Sequence, residues 1–345
     1  MKTFLSMAAG IVLMAASAAA QTDAVPNSQP NPYGPGEHWG KKADGSPYGS
    51  LGACVVDAKG NVWVADRCGQ PDNNACKGRT EDPIYELDSS GKQIKSFGSG
   101  IFTNPHGMDV DKNGNVWVTD TAEHIVVKFG PDGKVLLTLG KKGVKGTGTD
   151  VFNAPSDVLV APNGDIFVED GHGGETNSRI VKFSPDGKFI KTFGTKGTGP
   201  GELSTDMHSL AMDSKGRLFV ADRGNARIQI FDQDGKFIDQ WHQFGEPSGL
   251  AIVNDILYVT DSKSDGPGGK VNPPYIRGFR IGSAKDGKVT AFVPYDFKAP
   301  PISAQAKPNA GEAICADKNG TIWNAETFGI DLKRYMPKKN STSTK

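Results

Sequence analysis

Apolar and polar residues alternate along most of this chain in runs of roughly four to seven positions, the period of a strand with one buried face. Helical spacing is absent. Glycine turns separate the runs in two series. One holds Lys59-Gly60-Asn61, Asn113-Gly114-Asn115, Asn163-Gly164-Asp165, Lys215-Gly216-Arg217 and Asn319-Gly320-Thr321. The other holds Ser90-Gly91-Lys92, Asp132-Gly133-Lys134, Asp186-Gly187-Lys188, Asp234-Gly235-Lys236 and Asp286-Gly287-Lys288. Such turns close two-residue hairpins because glycine supplies the positive φ they need. The unit recurs six times, anchored on the acid that ends each second run: Asp66, Asp120, Asp170, Asp222, Asp261 and Glu326. The anchors lie roughly 40 to 65 residues apart, near the range of propeller blades. Six repeats of four antiparallel strands predict an all-β, six-bladed β-propeller over residues 36–336. The last unit has no fourth run after 330–335, so residues near 36–39 are expected to complete blade six and close the ring.

This architecture sorts side chains by face. In each blade the residue before the first strand and the residue after the second lie at one mouth of the disc, and the glycine turns lie at the other. The first set reads Gly52, His106, Ser156, His208, Ser248 and Glu312. The second reads Arg67, Thr121, Gly171, Arg223, Ser262 and Thr327, with His172 one position further on. Alternate blades are a third of a turn apart, so His106, His208 and Glu312 should converge as a tripod. Imidazole and carboxylate donors suit zinc and other first-row divalent ions, and three protein ligands with an open position form a catalytic arrangement. A single loop histidine is ordinarily a surface or hydrogen-bonded group; the shared register is what marks these two. Arg67 and Arg223 also share a register. Their guanidinium forks match a carboxylate, which predicts an anionic substrate beside the metal, unless each pairs with its neighbouring Asp66 or Asp222 or with the blade backbone. His38, His124 and His242 fall outside the register and are read as structural.

Composition narrows the class. The 39 basic and 39 acidic residues cancel, and no basic run precedes the tail, which argues against a nucleic-acid partner. Residues 1–20 carry Lys2, an apolar stretch over 7–14 and the small run Ala18-Ala19-Ala20. This is the pattern of a signal peptide cut after Ala20, so the mature chain is expected to be secreted or periplasmic, without a membrane span and monomeric. A flexible lead over 21–35 and a polar tail over 337–345 flank the propeller. In an exported chain the four cysteines allow two disulfides. Cys68 and Cys76 are close in sequence and are paired here, holding the loop after Arg67 by about 2 to 3 kcal/mol. Cys54 and Cys315 lie on the first strands of blades one and six, either bonded across the ring closure or as two buried thiols.

Three groups of residues carry a family resemblance. They are Pro105-His106-Gly107 with Trp117-Val118-Thr119-Asp120, Asn177-Ser178-Arg179-Ile180-Val181, and His208-Ser209-Leu210-Ala211 with Ala221-Asp222-Arg223. With them the chain resembles the NHL-repeat propellers and, within these, the lyase domain of peptidylglycine amidating enzymes, peptidyl-α-hydroxyglycine α-amidating lyase. The similarity covers most of residues 51–335. It implies zinc on His106 and His208, active-site roles for Arg67 and Arg223, and a small carboxylated or peptide substrate. In that chemistry a peptide ending in α-hydroxyglycine loses its C–N bond to give an amide and glyoxylate. Three positions depart from the pattern. Glu312 replaces the third zinc histidine. Ala313 replaces an aspartate associated with structural calcium, which removes a calcium ligand. His172 replaces the catalytic tyrosine and is followed by Gly173-Gly174-Glu175-Thr176, so it can serve as general base or as a fourth metal ligand. Two other readings remain. One is an exported propeller that binds a peptide or protein without chemistry. The other is a calcium-dependent lactone hydrolase, whose usual Glu, Asn and Asp site the two histidines and two arginines fit poorly.

Overall fold

A computed structural model describes residues 27–69, 76–265, 275–296 and 311–339. The expected signal peptide and parts of the lead and tail lie outside these residues. As the repeat predicts, six four-stranded antiparallel sheets form the ring. Blade one runs Leu51–Val56, Val62–Asp66, Ile84–Leu87 and Gln93–Phe97, and blade two Pro105–Val110, Val116–Asp120, Ile125–Phe129 and Val135–Gly140. Blade six has Ala313–Ala316, Ile322–Glu326 and Asp331–Tyr335 from the C-terminal end. Its outer strand is Glu37–His38, which pairs antiparallel with Asp331–Tyr335 in the register Glu37↔Arg334 and His38↔Lys333. Side chains lock this closure, with His38 bonded to Asp331 and Arg334 donating from Nε to Glu37 at 2.8 Å.

Each blade presents two apolar faces to its neighbours, and the core is accordingly split into the seams between blades. Trp63 and Ala65 of blade one meet Val116 and Val118 of blade two; Phe219 and Ala221 of blade four meet Leu257 and Val259 of blade five. Second strands such as Val62–Asp66 and Leu218–Asp222 are buried along their whole length, which is why they read as apolar runs closed by one acid. That acid has a definite task. Asp120 accepts the backbone N–H groups of Thr103 (2.6 Å) and Asn104 (2.9 Å), Asp170 that of Asn153 (2.7 Å), and Asp222 that of Ser204 (2.8 Å). The anchor therefore ties down the loop that leads into the first strand of its own blade, where the mouth residues sit. Buried cations balance several anchors: Arg179 on Asp170, Arg227 on Asp222 and Arg280 on Asp261, each at 2.8 Å.

The first strands surround an axial cavity of about 350 Å³. Here Asp109 accepts the N–H of Val160 at 2.7 Å and Asp157 that of Leu210 at 2.8 Å, so each carboxyl bridges to the next blade. Burial pushes these carboxyls up, to about 6 for Asp109 and about 7 for Asp157. The Cys68–Cys76 disulfide is formed, with Cα atoms 4.9 Å apart. Cys54 and Cys315 share one apolar cluster at the seam of blades one and six but are free thiols, Cys54 donating to the carbonyl of Trp323 at 3.6 Å. Of the two readings of this pair, the structure carries the unbonded one. Among the described residues, no helix is long and apolar enough to cross a membrane.

Candidate metal centre

At the mouth, the register residues of the even blades, His106, His208 and Glu312, come together. His106 and His208 are almost wholly buried, and their ring centroids are 4.7 Å apart. His106 donates from Nδ1 to the carbonyl of Ser156 at 2.8 Å, and His208 from Nδ1 to that of Ser248 at 3.0 Å. A carbonyl can only accept, so Nδ1 carries the proton in both rings and Nε2 keeps its lone pair for the axis. The serines are the register residues of blades three and five. Odd blades thus orient the donors that even blades supply, as metal-bound histidines commonly give their other ring N–H to a carbonyl.

Glu312 closes the tripod from blade six. Its Oε1 lies 3.1 Å from His208 Nε2 and 3.5 Å from His106 Nε2. Donors about 2.0 to 2.1 Å from one tetrahedral ion are about 3.3 Å from one another, so both separations match a shared ion. The buried Nε2 of His106 has no hydrogen-bond partner, as a ligand position requires. His172 joins the three: one donor atom from each of His106, His172, His208 and Glu312 falls within 4.8 Å of the others. The His172 ring is 4.2 Å from that of His106 and 5.1 Å from that of His208. Its loop is pinned where Gly173 N–H meets the Thr205 carbonyl. Gly171 precedes it at φ 149°, where a Cβ would stand 1.9 Å from the Asn177 carbonyl oxygen, so the chain can enter this loop only through glycine.

The electrostatics favour deprotonated donors. Burial pushes the His106 imidazole down to about 3 and, with Arg223 nearby, that of His208 to about 4. Burial also holds His172 well below its ordinary value, assisted by His106 and Arg223. For Glu312, burial acts upward but is outweighed by His208, His106 and Arg67, which keep the carboxyl well below the usual range.

The two arginines divide. Arg67 donates from Nη2 to Glu312 at 3.2 Å and from Nε to the Pro105 carbonyl at 3.3 Å, while Asp66 is taken by Lys42 at 2.9 Å. Gly52 makes room for it: a Cβ there would lie 3.0 Å from Arg67 Nε and 2.7 Å from the Pro105 oxygen. Arg223 forms a two-pronged pair with Asp206 (3.2 and 2.7 Å) and donates to Ser248 Oγ at 3.1 Å; Asp222 belongs to Arg227. Neither arginine pairs with its sequence neighbour. Asp206, to which Lys263 also reaches at 3.2 Å, is a site residue the repeat pattern does not expose. His124, read as structural, accepts the N–H of Ala154 at 3.0 Å, away from the axis.

The chain is similar to several known proteins. The NHL repeat family matches residues 102–129 and 208–231. Peptidyl-glycine alpha-amidating monooxygenase B of Xenopus laevis is 33% identical over 279 residues, 75% of this chain and 29% of that protein. NHL repeat-containing protein 3 of Mus musculus is 32% identical over 314 residues, covering 87% of this chain and 82% of its own length. Peptidyl-alpha-hydroxyglycine alpha-amidating lyase 2 of Drosophila melanogaster is 34% identical over 217 residues, 58% of this chain and 50% of the relative. The chain spans less than a third of the length of the Xenopus amidating monooxygenase it matches.

Proposed function

The chain belongs to the NHL-repeat propeller family, and from that premise we propose that it is a metal-dependent lyase of the peptidyl-α-hydroxyglycine amidating type, acting on small carboxylated or peptide substrates. The observation that carries this reading is the convergence of His106, His208 and Glu312 on one point beside His172 and Arg67. His106, His208 and Glu312 would hold zinc. Zinc bound there supplies a Lewis acid that lowers the pKa of a substrate hydroxyl.

The protein's own groups do the rest. The Arg67 fork receives the substrate carboxylate and fixes the α-carbon at the mouth. His172, kept neutral by burial, takes the proton of the α-hydroxyl as general base. The electron pair of that O–H bond becomes the aldehyde C=O, and the C–N bond breaks with its pair going to nitrogen. Return of the same proton from His172 to nitrogen completes the amide. Atoms balance as one α-hydroxyglycine peptide giving one amide and one glyoxylate, with no water consumed. Arg223, bound to Asp206 and Ser248, contributes by holding His208. The Cys68–Cys76 disulfide and the amidating relatives support export to an oxidising compartment.

Glyoxylate release from an α-hydroxyglycine peptide, run beside a lactone panel, tests the assignment; turnover of lactones alone would refute it. The extended match to NHL repeat-containing protein 3 favours a second reading, a propeller that binds a partner without chemistry. Under that reading purified protein holds less than about one equivalent of metal after dialysis.

Proton competition gives a further expectation. A depressed histidine pKa means that the folded site stays unprotonated as pH falls below the free imidazole value of about 6.5. Here the two imidazoles remain neutral down to about 4 and about 3. Zinc content measured after desalting should therefore be flat from about pH 8 to pH 5 and fall only below about pH 4.5. Release centred near pH 6.5 would show that these imidazoles titrate as ordinary ones.

A further inference from the structure

We infer that Glu169 is a positioning residue that holds His106 in its ligating orientation by fixing Ser156. This rests on the reading of His106 as a metal ligand. Glu169 sits one residue before its anchor, and the same place in the other blades holds Ala65, Thr119, Ala221, Thr260 and Ala325. Every one of these is small and un-ionisable, as a tight seam between blades demands. Glu169 is fully buried there, and one of its carboxyl oxygens, Oε1, has no partner. Burying a carboxyl in such a place is costly unless it is bonded, so a group with no task would be poorly tolerated.

Of the three oxygens near the Ser156 hydroxyl, the Glu169 carboxyl is the closest, ahead of the main-chain carbonyls of Glu169 (3.3 Å) and Gly171 (3.5 Å). Glu169 Oε2 lies 2.8 Å from Ser156 Oγ, and the carbonyl of that serine takes the His106 Nδ1 proton at 2.8 Å. Thr119 Oγ1 also donates to this carbonyl, at 3.1 Å. Blade five offers the matching case. The Ser248 carbonyl takes the His208 Nδ1 proton, and the Ser248 hydroxyl is gripped by Arg223 at 3.1 Å and by Ser262 at 2.5 Å. Glu169 thus does for His106 what Arg223 does for His208. Since the serine is tethered by its side chain and used through its main chain, the carboxyl acts on the metal ligand through two rigid links.

Zinc affinity, measured by chelator competition on the whole folded protein, provides the test, together with the visible spectrum of the cobalt-substituted form. Glu169→Leu fills the same space without the hydrogen bond and should weaken zinc binding at least about tenfold and shift the cobalt bands. Glu169→Gln keeps a partner for Ser156 and should stay within about threefold of wild type. Ser156→Ala removes the other end of the bond, and its effect should not add to that of Glu169→Leu. Ser156→Ala also decides the matter if the leucine variant does not fold. A folded Glu169→Leu or Ser156→Ala protein with wild-type affinity and spectrum overturns the inference while leaving the metal site intact. Wild-type protein that binds no zinc overturns the site itself, and the inference with it.

Discussion

His208→Ala protein, purified and dialysed beside the wild type, should keep less than about a tenth of an equivalent of zinc, and His106→Ala should do the same. Loss of a group that merely orients a metal ligand already costs about 10- to 100-fold in affinity, and loss of the ligand itself costs more. Glyoxylate release should fall with it by about 10³-fold or more, on the order of 4 kcal/mol of transition-state stabilisation. Both rings are fixed by serine carbonyls from the following blade, and Glu312 is placed by contacts to both Nε2 atoms and to Arg67. His208→Ala leaves His106, Glu312 and His172 beside the Arg67 cation, which competes with a metal for the carboxylate and is no longer opposed by the His208 donor. Because the loops leading to His106 and His208 are tied by Asp120 and Asp222, the variants should unfold at temperatures close to that of metal-free wild type. Full metal content in both variants would place the ion elsewhere.

How much of this was readable from the sequence depends on whether a residue belongs to the repeat. His106, His208 and Glu312 were legible as a group because strand period and turn spacing fix them at one register, and the ring then brings alternate blades together. The closing strand at Glu37–His38 was legible for the same reason, as a fragment of the pattern displaced to the other terminus. The partners of the arginines were not. Asp206 comes from the loop before blade four, where no periodicity constrains side chains, and it captures Arg223 from across that loop. Its only trace in the sequence is an acid two residues ahead of a register histidine. Ser156 and Ser248 were placed correctly but given no task, since their contribution is a main-chain carbonyl and any residue type supplies one. Glu169 lies one residue from an anchor and reads as part of a strand. Only the seam between blades shows that its carboxyl is enclosed and tied to Ser156.

Arg67→Ala should reduce kcat/KM for an α-hydroxyglycine peptide by about 10² to 10³, or about 3 to 4 kcal/mol, with most of the loss appearing in KM. The side chain is buried at the mouth, and its Nε and Nη2 groups are directed to the Pro105 carbonyl and to Glu312. Those bonds hold the guanidinium plane in place while its remaining N–H groups can meet a carboxylate arriving at the metal. Lysine at this position should recover little, since an ammonium offers a point charge where the substrate needs a flat fork. A second comparison separates this role from mere support of Glu312. Wild type should prefer the carboxylate substrate over its neutral carboxamide counterpart by a factor that nearly vanishes in Arg67→Ala, whereas zinc content should drop only modestly. Arg223→Ala should behave in the opposite way, weakening metal retention through Ser248 and His208 while leaving the preference for the carboxylate in place. If Arg67→Ala kept both its KM and its preference, the substrate carboxylate would have to be held by another cation at the mouth, Arg223 or Lys263, both of which contact Asp206.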